Sequence, residues 1–420
     1  MLVAACASPA PAPTTTSDAS PAPSQSQQEQ GFAPVTVAVP AEFAQAPFDT
    51  PRQATVPSGW TMSVWARVPK ARLAAWTPDG ALLVSQPSTG QVLKLAPKPG
   101  SAPESATLLA GLDQPHGLTF AGNTLYVAES DQIDAYDYTG GQATGQRVVA
   151  PGLPDAKSSD LRGAYAHALK SVAVGPDDAV YFSIGSTGNI SAEDRTATPP
   201  RAAIMRVPPE GGPAAPFTTG VRNGTGLAVA PDGSIWTAVN NRDNVQYPDQ
   251  GPDFGTVIPD YVDDHPPESV ARLTQGRELG WPYCNSDGGP ADLPFIRDVQ
   301  TNADGDKLDC AALPKVEQSM GAHSAPLGMA FAELPAPFGT GALIGVHGSW
   351  NRKPPRAPEV SFYQWHDGGL GNQQTLVGGF QGADGSRWGR PVAAVVGPDG
   401  AVYITDDYAD AVYRLAPPGR

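Results

Sequence analysis

Short apolar segments that alternate with polar positions recur along the chain, and most contain a turn of the type Pro-Asp-Gly. One copy, AAVVGPDGAVYITDDYADAVYRLAP, runs from an apolar strand through the turn into a second alternating strand, followed by a polar loop and a third strand. A period of two is typical of β-strands, and helical periodicity is scarce throughout. The copies begin at Leu73, Leu118, Val172, Leu227, Met329 and Ala393.

The spacing of the six copies predicts how they assemble. They follow one another at roughly 45 to 60 residues, stretched to about 100 where a cysteine-bearing region intervenes. One four-stranded sheet fits each interval, and six such sheets bury their faces by forming a toroid. The sequence therefore predicts an all-β fold, a six-bladed β-propeller. The preceding segment VPSGWTMSVWARVP is the candidate for a strand that completes the last blade and closes the ring.

Composition divides the chain into a tail and one large domain. Glycine and proline, 46 each among 420 residues, are spread throughout, as expected for many short strands joined by turns. Residues 1–50 are predicted to be an export-signal remnant followed by a disordered linker rich in Ala, Pro and Ser. Residues 51–420 are predicted to be the propeller, with a disulfide-bearing insert of little regular structure at about 245–320.

The charge balance restricts the possible partners. The chain has 27 basic and 42 acidic residues and a net charge of -15, which disfavours nucleic acid and anionic membranes. A neutral or cationic small substrate fits this balance better. No stretch approaches the roughly 20 apolar residues that span a bilayer.

The three cysteines fall into two groups. Cys6 ends the segment LVAAC, which resembles the lipobox of bacterial lipoproteins, so we predict that Cys6 is lipidated and that the protein is exported to the periplasm or cell surface. Membrane contact is expected only through this lipid anchor. Export favours a disulfide between Cys284 and Cys310, and two separate buried thiols are the alternative.

A propeller would bring distant loops together. Its inner strands lead into loops at one end of the central channel, so residues at equivalent loop positions meet around the axis. Histidine suits proton transfer, arginine binds anions, and amide or carbonyl oxygens bind a hard cation. The residues predicted to converge are Gln114, His167, Arg222, Asn223, Asn240, Asn241, His323, His347 and Arg390.

Several segments, taken in order, resemble one family, the soluble glucose/sorbosone dehydrogenases that use pyrroloquinoline quinone (PQQ), and within it the sorbosone-dehydrogenase-like branch. The similarity begins at about Leu73 and extends to the C-terminus. The segments are HALKSVAVGPDDAVYFSIGS, GVRNGTGLAVAPDGSIWTAVNN, AHSAPLGMAF, HGSWNR and GRPVAAVVGPDG, and the motif GWPYC is also shared with that branch.

The resemblance implies roles for individual residues. His167 is expected to be the general base that takes the substrate hydroxyl proton, and Arg222 to lie against the quinone oxygens and stabilise their charge. The main-chain carbonyls of Asn241 and Arg242 are expected to hold a calcium ion. Further contacts to the cofactor are expected from Gln114, Asn223, Asn240 and Arg390.

The last third departs from the glucose-oxidising branch. The family's second arginine falls on Val392 and its lysine at or beside Gly348, so His323, His347 and Arg352 are expected to supply the compensating positive charge. The implied activity is oxidation of an aldose, a sorbosone-like sugar aldehyde or a related sugar, with electrons passing to a quinone or redox protein.

Two alternatives remain open at the level of sequence. A surface-tethered propeller that only binds a protein or glycan would show the same repeats and export signals. A calcium-dependent lactonase propeller would need a set of inward-facing acidic ligands, of which Glu129 is one candidate.

Overall fold

Six β-sheets surround a central channel in a computed structural model of the chain, which describes residues 31–161 and 163–419. Three strands precede the first complete blade: β1 (Phe32–Thr36), β2 (Gln53–Pro57) and β3 (Thr61–Arg67). Blade one contains β4 (Ala74–Trp76), β5 (Leu82–Gln86), β6 (Gln91–Lys98) and β7 (Ser101–Ala110). Blade two contains β8 (Gly117–Ala121), β9 (Thr124–Ala128), β10 (Ile133–Thr139) and β11 (Gln142–Ala150).

Blades three and four are joined by a shared outer region. Blade three begins with β12 (Val172–Val174), β13 (Val180–Ile184), β14 (Ala203–Val207) and β15 (Ala215–Thr219). The next elements are β16 (Gly224–Val229), β17 (Ile235–Val239), the short helix α1 (Pro259–Val262) and β18 (Pro267–Leu273). They are followed by β19 (Arg277–Glu278), β20 (Cys284–Ser286), β21 (Ala291–Leu293), β22 (Phe295–Arg297) and β23 (Val316–Ala322). Strand β19 adds a parallel edge to blade three, and blade four has the order β16-β17-β18-β23-β21.

The last two blades complete the ring. Blade five contains β24 (Pro326–Leu334), β25 (Gly339–Val346), β26 (Glu359–His366) and β27 (Gly369–Val377). Blade six contains β28 (Pro391–Val396), β29 (Val402–Asp406) and β30 (Ala411–Ala416). Short 3-10 turns occupy Ala41–Phe43, Glu193–Arg195 and Cys310–Ala312. The predicted all-β, six-bladed propeller is confirmed.

Strand β3 closes the ring. It pairs antiparallel with β30 in a register that runs from Thr61 opposite Ala416 to Arg67 opposite Ala411. The first folded segment and the last thus share one sheet, which confirms the expectation for VPSGWTMSVWARVP. The buried side chains of Met62 and Val64 lie in the same apolar cluster as Ile404 and Leu415.

The predicted boundary between linker and domain at residue 50 is wrong for the described residues. Strand β1 pairs with β2, and Val37 and Phe48 are buried. The ring of Phe48 packs edge-on against Tyr413, with 6.1 Å between the centroids. This stretch folds because apolar side chains resume after the Ala/Pro/Ser tract and can be buried on blades five and six. Residues 1–30, including Cys6 and its predicted lipidation, lie outside the described residues.

The predicted loop at 245–320 also needs correction, because it contains the third and fourth strands of blade four. Strands β18 and β23 pair with each other, and β18 pairs with β17. Between them lies a small β20–β22 sheet next to a disulfide that joins Cys284 to Cys310, with the two Cα atoms 5.7 Å apart. The predicted disulfide is therefore confirmed. Among the described residues, no helix is both long enough and apolar enough to span a membrane.

Side-chain hydroxyl groups link neighbouring blades where the inner strands begin. Each donates a hydrogen bond to a main-chain carbonyl of the next blade: Ser85 to His116, Ser171 to Thr225, Thr225 to Pro326, and Thr405 to Arg72. Between blades five and six the backbones touch directly, since a Cβ on Gly345 would lie 2.2 Å from the Val392 carbonyl oxygen. Residues just before the inner strands of all six blades are therefore held side by side around the channel.

The channel itself is lined by small and apolar residues from all six inner strands. Its cavity has a volume of about 380 Å³, and its wall includes Leu73, Leu118, Val172, Leu227, Met329 and Ala393. These are the positions at which the six sequence repeats begin.

Candidate functional site

The candidate site lies at the end of the channel where the inner strands begin. Two groups of polar residues meet there, one from blades three and four and one from blades one, five and six. We call them the Arg222 cluster (His167, Ser186, Asn189, Arg222, Asn240, Asn241, Asp243, Glu268 and His323) and the Asp407 cluster (Arg72, His347, Arg390 and Asp407).

His167 is held as a neutral base. Its Nδ1 atom lies 2.9 Å from the main-chain oxygen of Ser186 and 2.9 Å from that residue's Oγ. A carbonyl oxygen only accepts hydrogen bonds, so Nδ1 carries the proton in the neutral ring and Nε2 keeps its lone pair. Burial, with the nearby Arg222 guanidinium, lowers the pKa of His167 to about 4. At neutral pH the residue can therefore accept a proton at Nε2.

Gly185 permits the close approach of His167. A Cβ at position 185 would lie 2.6 Å from the Cβ of His167, which no real contact allows. The glycine of the motif SIGS is thus required by packing, because it lets the end of β13 lie directly against His167.

Arg222 is buried and fixed by four main-chain and amide oxygens. Its Nη1 donates to the carbonyls of Asn240 at 3.1 Å and Asn241 at 2.8 Å. Its Nη2 donates to Oδ1 of Asn189 at 3.1 Å, and its Nε to the Asn189 carbonyl at 3.4 Å. The guanidinium is therefore a fixed positive charge at the channel mouth, 6% exposed.

Carboxylates and a histidine surround this charge. Burial raises the pKa of Glu268 to about 7, although the main-chain N–H of Asn241 donates to it at 2.5 Å. Asp243 lies 3.2 Å from Nδ1 of His323, whose Nε2 lies 2.6 Å from the carbonyl of Val262. Burial opposes the charged form of His323, but these two hydrogen bonds raise its pKa. His323 also has a positive φ of 58°, a conformation that non-glycine residues adopt rarely.

The Asp407 cluster places two arginines and a histidine around one carboxylate. Asp407 accepts from Nη1 of Arg72 at 2.7 Å and from Nε of Arg390 at 2.8 Å, and it lies 3.5 Å from Nε2 of His347. Burial and the arginines Arg72 and Arg390 lower the pKa of His347. Burial likewise lowers the pKa of the neighbouring His116 to about 3, with Arg72 adding to the effect.

Several of these buried polar atoms have no hydrogen-bond partner. They are Nε of Arg72, Nε2 of His116 and Nε2 of His347. Leaving such atoms unpaired costs about 1–3 kcal/mol each. Nε of Arg72 is a donor that lacks an acceptor, whereas Nε2 of His116 keeps a lone pair, because Nδ1 of that ring faces the Lys170 carbonyl.

The structure gathers most of the predicted site residues, but in different ways. The Arg222 cluster contains His167, Arg222, Asn240, Asn241 and His323. Asn223 lies close to His167, because both side chains approach Gly185: a Cβ built there would be 2.6 Å from the Cβ of His167 and 3.0 Å from Oδ1 of Asn223. His347 and Arg390 lie in the Asp407 cluster. Gln114 is exposed in the loop before β8 and has a positive φ of 49°.

Two predicted residues have side chains that contact aspartates outside the two clusters. Arg352 donates to the Asp263 carbonyl and to Asp264, each at 2.7 Å, so it ties its loop to the segment after α1. The side chain of Arg242 forms a buried ion pair of 2.5 Å with Asp298. Its predicted role concerned the main-chain carbonyl, which this pairing does not test. The expected role of Arg352 in binding the cofactor stays a prediction.

Sequence reasoning missed Arg72, Asp407, Asn189 and Glu268. A signal existed for Arg72, since it stands six positions before Pro78 of its turn, as Lys170 stands before Pro176. The same position in the last repeat is Val392, where the expected arginine is absent. Positive charge missing from blade six is thus present on blade one.

The acidic set needed for the lactonase alternative is not found at the channel mouth. Among residues 31–161 and 163–419, one group of three carboxylates is close enough to share a cation, namely Asp113, Asp131 and Asp155. It lies in loops around blade two, and Asp113 already pairs with Lys157 at 2.6 Å. Burial raises the pKa of Glu129 to about 8, and its carboxyl group accepts a hydrogen bond from the main-chain N–H of Asp113.

The fold and the site together define a six-bladed propeller with a neutral base and two cationic clusters at one channel mouth. A family model described as TrAA12-like matches residues 54–417, so the chain belongs to that family. A curated relative, an uncharacterised protein of Borreliella burgdorferi, is 25% identical over 236 residues. That match spans 54% of this chain and only about half of the relative, 56%.

Solved structures show the same fold at low sequence identity. The PQQ domain of pyranose dehydrogenase from Coprinopsis cinerea superposes with a TM-score of 0.71 at 20% identity, covering 87% of this chain and 97% of that one. A calcium structure of a carbohydrate-active enzyme of family AA12 from Trichoderma reesei gives 0.67 at 20% identity, covering 86% and 96%. The PQQ-bound aldose sugar dehydrogenase of Streptomyces coelicolor gives 0.55 at 15% identity, covering 86% and 99%.

Proposed function

We propose that this protein is a PQQ-dependent sugar dehydrogenase that oxidises an aldose, a sorbosone-like sugar aldehyde or a related sugar. The observation that carries the proposal is the pairing of one neutral base, His167, with fixed guanidinium groups around a single channel mouth. The structural relatives support it, because several of them are sugar dehydrogenases or PQQ-bound. A module that only binds a glycan or protein would not need a histidine with an unprotonated Nε2 beside fixed guanidinium groups.

The cationic residues fit an anionic cofactor. PQQ carries three carboxylates and two quinone oxygens, and the guanidinium of Arg72 would bind one of these carboxylates. Arg390 adds a second guanidinium to this side. On the other side Arg222 and Asn223 would face the quinone oxygens, whereas Nδ2 of Asn240 already donates to the Pro326 carbonyl at 2.5 Å, which leaves its Oδ1 for the cofactor.

The chain's own residues supply orientation and proton transfer. His167 accepts the proton of the sugar hydroxyl at Nε2, while Nδ1 keeps its hydrogen bond to Ser186 and holds the ring in place. Arg222 stabilises negative charge that develops beside it, and it does so without reorganising because four oxygens fix it. When bound, PQQ supplies the carbon that accepts the hydride.

The proposed calcium site shares a main-chain carbonyl with Arg222. The Asn241 carbonyl that would bind the ion accepts a hydrogen bond from Arg222 at 2.8 Å. A calcium ion at this carbonyl would lie next to the guanidinium, and the two positive charges would repel each other. No step of the mechanism is therefore derived through calcium, and its effect is measured separately.

The cellular setting is part of the same proposal. We expect an exported protein anchored through a lipid on Cys6, with a quinone or a redox protein as electron acceptor. The Cys284–Cys310 disulfide supports export, because such bonds persist in oxidising compartments.

Two variants test the proposal, one through turnover and the other through cofactor binding. His167→Ala is expected to keep PQQ binding but to lower turnover with a dye acceptor by about 100-fold or more, since it removes the base. Arg72→Met is expected to weaken PQQ binding by about tenfold or more, since it removes a charge-assisted contact. Both are measured by cofactor titration with and without calcium, followed by turnover on a panel of sugars.

Other results would contradict the proposal. If the folded wild-type protein does not bind PQQ under either condition, it is not a quinoprotein, and the binding-module alternative takes its place. If His167→Ala loses cofactor binding and turnover equally, the histidine is structural. Arg414→Met, which breaks a pair with Asp399 outside both clusters, is the matched control and should change neither quantity.

A further inference from the structure

His167, the proposed general base, lies in a long connection without regular secondary structure. Residues 151–171 join β11 to β12, and their described part contains no helix or strand. Next to the base, the main-chain N–H of Ala166 donates to the Thr187 carbonyl and the hydroxyl of Tyr165 to that of Gly185, both at 2.9 Å. The position of His167 therefore depends on the contacts that its neighbours in the chain make with the adjoining blades.

Lys170 provides the densest of these contacts. Its side chain is fully buried, and Nζ donates to the main-chain carbonyls of Ser130, Pro154 at 2.8 Å and Ala168 at 3.0 Å. An ammonium group has three donors, and all three are used. Nζ also lies 5.4 Å from the ring centroid of Tyr165, within the range of a cation–π contact.

The three carbonyls belong to three different places in the chain. Ser130 lies in blade two after β9, Pro154 lies at the start of the connection, and Ala168 directly follows His167. One ammonium group thus joins the base, the beginning of its connection and the neighbouring blade. The main chain of Lys170 is fixed as well, since its carbonyl accepts from Gly117 at 2.9 Å and lies 3.1 Å from Nδ1 of His116.

Burial of the Lys170 ammonium group costs desolvation free energy. Burial lowers its pKa to about 7, against the opposing charges of Asp155, Asp131 and Asp113. A methionine of similar length would fill the volume without this desolvation penalty. What methionine lacks is the ability to fix three carbonyl oxygens relative to one another.

We propose that Lys170 is a positioning residue for His167, holding the main chain beside the base so that Nε2 meets the substrate hydroxyl. This inference rests on the proposed function. Ser186 and Lys170 have separate roles in placing the base, because Ser186 orients the imidazole ring through Nδ1, whereas Lys170 fixes the backbone that carries it.

The test compares Lys170→Met and Lys170→Arg with Val360→Ala, a buried change in blade five that lowers stability without touching the connection. Lys170→Met is expected to lower kcat per bound cofactor by about 10- to 100-fold, the size expected for a misplaced catalytic group. KM and cofactor affinity should change by less than about threefold. Lys170→Arg keeps a cation and should recover part of the loss, while Val360→Ala should keep wild-type kcat per bound cofactor.

Hydrogen exchange provides a readout that needs no activity. The amides of Ala166 and Leu161 should exchange faster in Lys170→Met than in Val360→Ala at equal distance below their melting temperatures. Wild-type kcat in Lys170→Met, or an equal loss in Val360→Ala, would overturn the proposal. If the methionine variant does not fold, Lys170→Gln, whose amide has two donors, replaces it with the same expectation.

The two proposals fail in distinguishable ways. A wild-type protein that does not bind PQQ ends the proposed function, and the exchange experiment then still shows whether Lys170 orders residues 153–170. If the wild-type protein is active and Lys170→Met has the same kcat, only the positioning role of Lys170 is contradicted.

Discussion

At the scale of single residues, the site separates fixed positive charge from neutral imidazole. Arginines carry the charge, and burial beside them lowers the pKa of His116, His167 and His347. A base must be unprotonated to act. In the role proposed for His167, burial beside Arg222 therefore keeps the imidazole unprotonated over most of the pH range. The same proximity would be unfavourable for a histidine that served as a cation.

The pH dependence of activity follows from this arrangement. The kcat/KM of the wild-type protein should fall as pH drops, with a midpoint near 4, because protonated His167 cannot accept a proton. The lowered pKa also means that the unfolded state takes up protons first, so stability should decline as pH falls from 6.5 towards 4. Initial rates and melting temperatures between pH 3.5 and 8 are measured together on the same samples. An acid limb near 6.5 with the fold intact would contradict the lowered pKa.

The sequence pointed to some residues at the channel mouth, such as Arg222, but not to the ion pair between Arg72 and Asp407. His167, Arg222 and Arg390 each precede a Pro-Asp turn (GPDD, APDG and GPDG), and the spacing of these turns fixes their place in a blade. Arg72 and Asp407 interact across the join between blades one and six, a contact between residues 335 positions apart. Such a pair leaves no local pattern, because ring closure alone brings its members together.

At the scale of elements, blade four shows where pattern recognition fails. Its third and fourth strands, β18 and β23, are separated by the β20–β22 sheet and the disulfide. Turn chemistry identifies strands that follow one another closely, and here a long connection replaces the short turn. Glu268 lies on β18, so assigning the segment to a loop also hid a buried carboxyl group of the site.

Removal of the disulfide should measure how much it stabilises this region. Cys310→Ala opens a loop of 26 residues between the bridged positions and should lower the free energy of unfolding by about 2–4 kcal/mol. Urea unfolding under oxidising conditions gives this difference, and a reducing agent should shift the wild-type midpoint while leaving the variant unchanged. Identical midpoints for oxidised and reduced wild type would show that the bridge contributes nothing.

At the scale of the whole molecule, stability depends on closing the ring through β3. The strand buries Met62, Val64 and Trp65 against blade six and its neighbours. Burial of each such side chain contributes about 1.5–3 kcal/mol, so their sum is comparable to the net stability of a domain, about 5–15 kcal/mol.

Truncation tests this closure directly. A chain that begins at Val68 lacks β3 and exposes the edge of β30, so we expect it to aggregate or to lack a cooperative thermal transition. A chain that begins at Gly31 keeps the described N-terminal strands and is the control, expected to remain a folded monomer. Circular dichroism melts and size-exclusion chromatography distinguish the two. A cooperative, monomeric chain beginning at Val68 would show that β30 needs no partner.

The two ends of the described chain are neighbours. The Ser58 N–H donates to the Gly31 carbonyl at 2.6 Å, and a Cβ on Gly59 would lie 3.3 Å from Cγ of Pro418. A short linker could therefore join the ends covalently, with new termini opened in one of the Pro-Asp-Gly turns on the opposite side of the ring from the mouth. Circular permutants of this kind would let a fused protein be attached to any chosen blade while the candidate site at the mouth stays as it is.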